Sequence, residues 1–233
     1  MKKLLIPFFC LALSSTAMAQ KNNTVAAIDA PVSALNETQQ KAQKIIDNYT
    51  KALGGKEKLS TIKTLLQEGT MSIMGQEMET VIKKMGNKLR SEQKMMGQTV
   101  ATVIFDGTKG QIEQMGQKMD MPAAQVEMLK KSNIVDALSM NATKVTAVGE
   151  EKLENKDYDV ITIDGAKMYF DKATGLLYKA NKDSGVATII SYATVDGMKF
   201  PSEMVTEAQG MKMEMNLTNV LVNSGVTEDD FKL

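Results

Sequence analysis

The chain has 233 residues, with 28 Lys+Arg against 28 Asp+Glu, no His, no Trp, one Cys and 19 Met. Without His, the usual neutral-pH acid/base and the commonest metal ligand are both missing. A formal charge of zero argues against nucleic acid as a partner, because that affinity comes mostly from Lys and Arg neutralising phosphates. A hydrophobic fraction of 43% with only 5% aromatics predicts one sizeable domain with an aliphatic, Met-rich core.

The first residues read as an address. Met1-Lys2-Lys3 is a basic start, Leu4 to Leu13 is a short apolar run, and Ala17-Met18-Ala19 fits a small-x-small cleavage pattern. Residues 1–19 are therefore expected to be a secretory signal peptide cut before Gln20, and the apolar run is too short to span a bilayer. Cleavage leaves 214 residues, 26 basic against 28 acidic, and removes Cys10, so the exported chain has neither disulfide nor thiol nucleophile. Cys10 follows Phe8-Phe9 inside the apolar run, a poor setting for lipidation. The sequons at Asn36, Asn48, Asn141 and Asn216 are read as chance in a bacterial-type export context.

Residues 20–35 form a polar, Ala-rich stretch with Pro31, expected to be a flexible lead. A single domain is expected over residues 36–233. Asn36 with Gln39 makes a capping-box pattern, and Ala42, Ile45, Ile46, Tyr49, Ala52 and Leu53 make one apolar helical stripe, stopped by Gly54-Gly55. From about Lys63 the pattern changes to short strands, with turns at Asp106-Gly107, Asp164-Gly165, Asp196-Gly197 and Asp171 to Gly175. About eleven strands are expected: near 64–74, 77–85, 88–96, 98–105, 110–116, 143–150, 157–163, 167–170, 176–181, 186–195, 198–206 and 211–222. Those twelve ranges leave one pair continuous or one entrant false. Between the two groups, Pro122 with Val126 and Leu129, then Ile134, Val135 and Leu138, mark a helical interruption. The fold class is mainly β (α+β): a strongly curved antiparallel sheet with helices on its concave side.

Seventeen Met remain after cleavage, and many fall in alternating rows that share a strand face. Met211, Met213 and Met215 lead into Leu217; Met115, Met119 and Met121 share parity if the strand persists; Met198, Phe200 and Met204 form a third row, and Met71 with Ile73 a fourth. Three readings stay open: ordinary core filling, a deformable lining for a flexible apolar ligand, and a thioether site for cuprous copper. The expected lining set is Met71, Ile73, Phe105, Met115, Met121, Val126, Leu129, Leu138, Phe200, Met211, Met213 and Met215, with no metal site and no cofactor.

Catalytic signals are weak. A serine triad lacks its base, no glycine-rich phosphate loop opens a helix, Glu150-Glu151 reads as a solvated strand end, and Glu228-Asp229-Asp230, after Thr227, reads as a capped acidic first turn. Arg90, the single arginine, is read as an exposed strand residue or as a bidentate contact. No enzyme is expected.

The segment Ala42-x-x-Ile45-Ile46-x-x-Tyr49-x-x-Ala52-Leu53-Gly54-Gly55, followed by Leu59-x-x-Ile62 and Gly69-Thr70-Met71, resembles the bacterial outer-membrane lipoprotein-sorting family (LolA/LolB-like). The turn Asp106-Gly107-Thr108-Lys109 and the acidic ending Gly225 to Phe231 extend the likeness. It implies an unclosed β-barrel whose apolar cavity lies under a helical lid, and a monomeric periplasmic carrier of lipid or acylated lipoprotein, with an envelope membrane receptor as a further partner. In that family a lid-latching arginine sits in a Lys-Arg-Pro-Asn stretch. Here Lys84-Met85-Gly86-Asn87 stands in its place, so Met85 replaces the arginine, and Arg90 is the expected lid contact. The resemblance thus implies either a true lipoprotein carrier or a lipid-binding relative lacking the arginine-dependent lid cycle. The alternatives are an accessory structural module of the envelope and a Met-based Cu(I)-binding protein.

Overall fold

The structure, a computed structural model, describes residues 35–233. The expected signal peptide, its cleavage site, Cys10 and the lead up to residue 34 lie outside the described residues. Helix α1 spans Glu37–Ala52, and its start is fixed as the sequence predicts. Asn36 Oδ1 accepts from the Gln39 amide at 2.9 Å, while Gln39 Oε1 accepts from the Asn36 amide at 3.1 Å. Its apolar stripe buries Ala42, Ile45, Ile46, Tyr49 and Leu53. A one-turn helix α2, Lys56–Ser60, follows and buries Leu59.

Six strands come next: β1 (Thr64–Ile73), β2 (Gln76–Met85), β3 (Lys88–Met95), β4 (Gln98–Phe105), β5 (Gly110–Gln114) and β6 (Gln117–Asp120). Helix α3, Ala123–Lys130, and two 3-10 turns at Asp136–Ser139 and Ala142–Lys144 form the central interruption. Seven further strands complete the sheet: β7 (Val145–Leu153), β8 (Lys156–Ile163), β9 (Ala166–Asp171), β10 (Leu177–Lys182), β11 (Gly185–Val195), β12 (Met198–Ala208) and β13 (Met211–Val222). A last 3-10 turn runs from Glu228 to Phe231.

All thirteen strands form one antiparallel sheet in the order β6-β5-β4-β3-β2-β1-β13-β12-β11-β10-β9-β8-β7. It is a meander broken once, where β1 pairs with β13 and joins the two halves. The sheet is not closed into a barrel; its free edges are β6 and β7. The expectation of about eleven strands is corrected to thirteen. All twelve expected ranges are strands, and the thirteenth is β6, whose four exposed residues Gln117–Asp120 hold a single apolar side chain, Met119, too little to show an alternation.

A bulge between Glu68 and Gly69 interrupts the β1–β13 register. It brings the backbones so close that a Cβ at Gly69 would lie 2.0 Å from the Asn216 carbonyl oxygen. Bulges bend and twist a sheet, and this one sits at the junction of its two halves.

The concave face is covered unevenly. Over β8 to β12 it is filled by α1, whose Ile45, Ile46, Tyr49 and Leu53 share one buried cluster with Ile161, Phe170, Leu177, Met198 and Phe200. Tyr49 meets Phe170 edge to face with centroids 5.2 Å apart. At the other end α3 covers β3 to β5: Leu129 and Val126 pack on Leu89, Val103, Phe105, Ile112 and Met121.

Candidate functional site

Between these two filled regions lies a cavity of about 200 Å³. Its wall is the middle of the sheet: Met71 and Ile73 on β1, Met78, Ile82 and Lys84 on β2, Leu89, Ser91 and Gln93 on β3, Phe200 and Met204 on β12, and Met213, Met215 and Leu217 on β13. Its cover is Leu129 at the end of α3 together with residues 132–137, and Tyr49 of α1 with Leu53, which caps that helix, closes one side. Cavities of roughly 150 Å³ with apolar walls stay dry and take up apolar molecules.

The register explains the methionines. Met71 lies opposite both Met78 and Met215, and Met215 lies opposite Met204. Met71, Met204 and Met215 are buried with Leu217 in one cluster, and Met213 leans on it. The soft thioethers therefore form a continuous patch at the cavity floor.

Six of the expected lining residues meet at this cavity: Met71, Ile73, Leu129, Phe200, Met213 and Met215. The other six lie elsewhere. Phe105 and Met121 are buried in the cluster beneath α3, and Val126 packs on that same cluster. Leu138 packs on the α1 core. Met211 opens β13 at the β12–β13 hairpin, opposite Ala208. Met115 is corrected outright: it is 73% exposed, because Met115 and Gly116 both take positive φ in the turn between β5 and β6. That turn breaks the expected Met115–Met119–Met121 row.

The expected lid contact is also corrected. Leu89 and Ser91 face the cavity, so alternation puts Arg90 on the opposite face of β3. There its Nε donates to Glu92 Oε1 at 2.6 Å, and its Nη1 donates to the Asp230 carbonyl at 3.1 Å. Arg90, with the Lys83 Nζ–Asp230 Oδ1 pair at 2.5 Å and the Lys88–Glu228 pair, clamps the C-terminal 3-10 turn to the outside of the sheet. The cation that reaches the cover is Lys84, whose Nζ lies 3.5 Å from the Ile134 carbonyl oxygen. Parity decides this: Lys84 points inward, whereas Met85 beside it does not.

The cavity is not uniformly greasy. Gln93 Nε2 donates to Ser91 Oγ at 3.1 Å. Among the described residues, the buried Gln93 Oε1 and Thr80 Oγ1 have no hydrogen-bond partner. On the α1 side, burial pushes the Tyr49 phenol well above its ordinary range, and the nearby Asp136 charge acts the same way. The phenol is therefore un-ionised at physiological pH. Asp106, in the turn after β4, accepts from the Thr108 and Lys109 amides, each at 2.7 Å; this is a side-chain-closed turn. Among the described residues, no group of three His, Cys, Asp or Glu gathers where it could hold a metal.

No sequence-family model and no curated protein matches the chain. Solved structures do. A DUF1329 family protein from Desulfovibrio piger superposes with a TM-score of 0.58 at 12% identity, over 82% of this chain and 96% of that one. A putative outer membrane lipoprotein-sorting protein domain from Vibrio parahaemolyticus gives 0.56 at 12% identity, over 84% and 96%. A LolA superfamily protein from Nitrosomonas europaea gives 0.54 at 9% identity, over 82% and 97%. The fold is LolA-like. The LolA-like sheet here is open at β6 and β7, and the hollow lies under its central cover, against the β1–β13 seam. Spacing could not locate that hollow, because long-range register decides which Met rows meet.

Proposed function

We propose that this LolA-like protein is a non-catalytic carrier that shelters acyl chains of a lipid or lipoprotein in the cavity beneath α3 and residues 132–137. The observation that carries the reading is the uneven filling of the concave face. Helix α1 fills the β8–β12 half and α3 the β3–β5 end, and between them the face is left as an apolar hollow floored by clustered Met thioethers. Thioether side chains adapt to irregular, flexible apolar shapes.

The energetics are sufficient. At roughly 0.8 kcal/mol per buried CH₂, ten sequestered methylenes contribute on the order of 8 kcal/mol, a micromolar-range affinity before ordering costs. Two structural neighbours, the putative outer membrane lipoprotein-sorting protein domain and the LolA superfamily protein, point in the same direction. Export to the periplasm through cleavage of residues 1–19 completes the proposal; its test is the intact mass of the exported chain, expected to begin at Gln20, and a mass that retains residues 1–19 overturns that part.

The test is titration of the purified protein with a fluorescent fatty-acid probe, followed by displacement with unlabelled palmitate. Saturable one-to-one binding that palmitate reverses supports the carrier. Absence of saturable binding up to the probe's solubility limit overturns it.

A further inference from the structure

Three hairpins of the N-terminal half share one tripeptide. Met74-Gly75-Gln76 joins β1 to β2, Met96-Gly97-Gln98 joins β3 to β4, and Met115-Gly116-Gln117 joins β5 to β6. Each loop is the two residues Met-Gly, and each places both at positive φ: 53° and 78°, 50° and 77°, 51° and 77°. Such turns are best served by Asn-Gly or Asp-Gly, and an unbranched L side chain such as Met is strained there. At the corresponding position the other described hairpins with this geometry carry Asp164, Asp196, Glu154 and Gln209. The three methionines are 70%, 99% and 73% exposed. A residue that disfavours its turn and buries nothing contributes no stability to the fold at any of the three sites.

Topology puts the three at one end of the sheet. Strands β1, β3 and β5 run in the same direction, so the loops that follow them protrude together. Successive tips are two strands apart, about 9.5 Å, so the row spans about 20 Å. The row adjoins the cavity: Ile73 immediately precedes the first tip, Gln114 immediately precedes the third, and both line the hollow, as does Met213 at the same end.

We propose that this methionine fringe docks the protein on a lipid bilayer, with the three side chains entering the interfacial region beside the cavity mouth. Three features select a fluid hydrocarbon over a protein partner. Single side chains on separate protruding tips cannot be buried together by a flat protein surface, whereas acyl chains flow around each. Each tip is followed by an uncharged Gln, which suits the headgroup level and costs no charge desolvation. Continuity with the cavity wall, through Ile73 and Met213, sets the hollow beside the membrane surface. The proposal extends the carrier reading to the source of its cargo, and it is measured independently of it.

The experiment is flotation with unilamellar phosphatidylcholine vesicles, comparing the full exported chain with the triple variant Met74→Asn, Met96→Asn, Met115→Asn. Wild type is expected to co-float, and to do so equally in high salt, because the contact is apolar. Each Met inserted is worth about tenfold in partitioning, so the triple variant is expected to lose at least a hundredfold. Its urea midpoint is expected to rise, because Asn-Gly suits the turn, and this excludes misfolding as the cause of lost binding. Wild type that stays off vesicles overturns the proposal, as does a triple variant that co-floats unchanged. Sedimentation showing that wild type self-associates through the fringe and the variant does not also overturns it, in favour of a second copy as the occupant. The fatty-acid probe titration on the same two proteins separates the two readings. Unchanged probe binding with lost flotation supports both, and lost flotation without probe binding in either protein leaves docking standing and removes the cargo.

Discussion

Replacing Ala101 with Phe distinguishes a hollow from a filled interior. Ala101 is 8% exposed on β4 and its side chain lines the cavity beside Gln93 and Gln114, its partners across the register. The substitution adds one aromatic ring to a space of about 200 Å³, and an apolar hollow of roughly 150 Å³ accepts a benzene ring. If the space is empty, burying the ring is worth about 2 kcal/mol. If the region is solidly packed, the same ring costs about 1–3 kcal/mol in strain. The two cases differ in sign. With a urea m-value of about 2 kcal/mol per molar, the hollow predicts a midpoint raised by about 1 M and the filled interior a midpoint lowered by a similar amount. The fatty-acid titration supplies the second reading: the ring occupies the cargo's place, so affinity is expected to fall at least tenfold. A lowered midpoint with unaltered probe binding refutes both the hollow and its assignment to acyl chains.

Three further substitutions follow from particular contacts. Gln93→Leu removes a buried oxygen that has no partner, and since such a group costs about 1–3 kcal/mol the variant is expected to be more stable by about 1 kcal/mol in urea unfolding and to bind the acyl probe more tightly. Lys84→Met removes the cation that reaches the Ile134 carbonyl; amide exchange at residues 134–137 is expected to speed up about fivefold, for a contact worth about 1 kcal/mol, with little change in global stability. Burial opposes ionisation of Asp230, but the Lys83 hydrogen bond and the Thr227 backbone amide outweigh it and hold the carboxyl below its ordinary range. A depressed carboxylate stabilises the fold above its unfolded pKa and loses that contribution as pH falls through the folded value. Asp230→Asn is therefore expected to cost up to about 1 kcal/mol at neutral pH for this partly buried clamp, and the difference from wild type is expected to shrink only as pH drops below the ordinary carboxyl range and to vanish below the depressed folded value, read from paired urea midpoints.

Much of the fold is legible in the sequence because its signals are local. The Asn36–Gln39 box and the Ala42-to-Leu53 stripe define α1, and glycine-marked turns separate strands whose alternation survives in every range but one. Strand β6 is invisible because Gln117 to Asp120 is four residues long with one apolar side chain, Met119, too few to show an alternation. The site is harder to read. Parity within a strand groups Met71 with Ile73 and Met213 with Met215, but only the β1–β13 pairing, between segments about 140 residues apart in sequence, puts the two groups at one floor. Parity also decides the basic residues: Arg90 falls on the outer face and Lys84 on the inner one, a distinction that rarity of arginine could not make. The thrice-repeated Met-Gly-Gln is plain in the sequence, yet its meaning depends on the exposure and positive φ of the turns.

The division of labour between ring and thioether makes a last prediction. All five tyrosines lie on α1 or on β8 to β11, where the concave face is filled or where rings stack on one another, as Tyr158 does with Tyr169 and Tyr178. Around the hollow, five methionines line the wall: Met71, Met78, Met204, Met213 and Met215. Rigid rings suit a fixed neighbour, whereas a thioether chain re-forms its surface around whatever occupies the space. Leu and Met are close enough in volume that exchanging one for the other costs less than about 1.5 kcal/mol per site. Changing Met71, Met204, Met213 and Met215 together to Leu should therefore leave the protein folded while stiffening the floor. The expected result is a narrowed preference among fatty acids of different length and unsaturation, with affinity kept for the best-fitting chain and lost by at least tenfold for the worst. A variant that binds every chain as wild type does would mean that the methionines only fill volume, and that their adaptability has no part in the function.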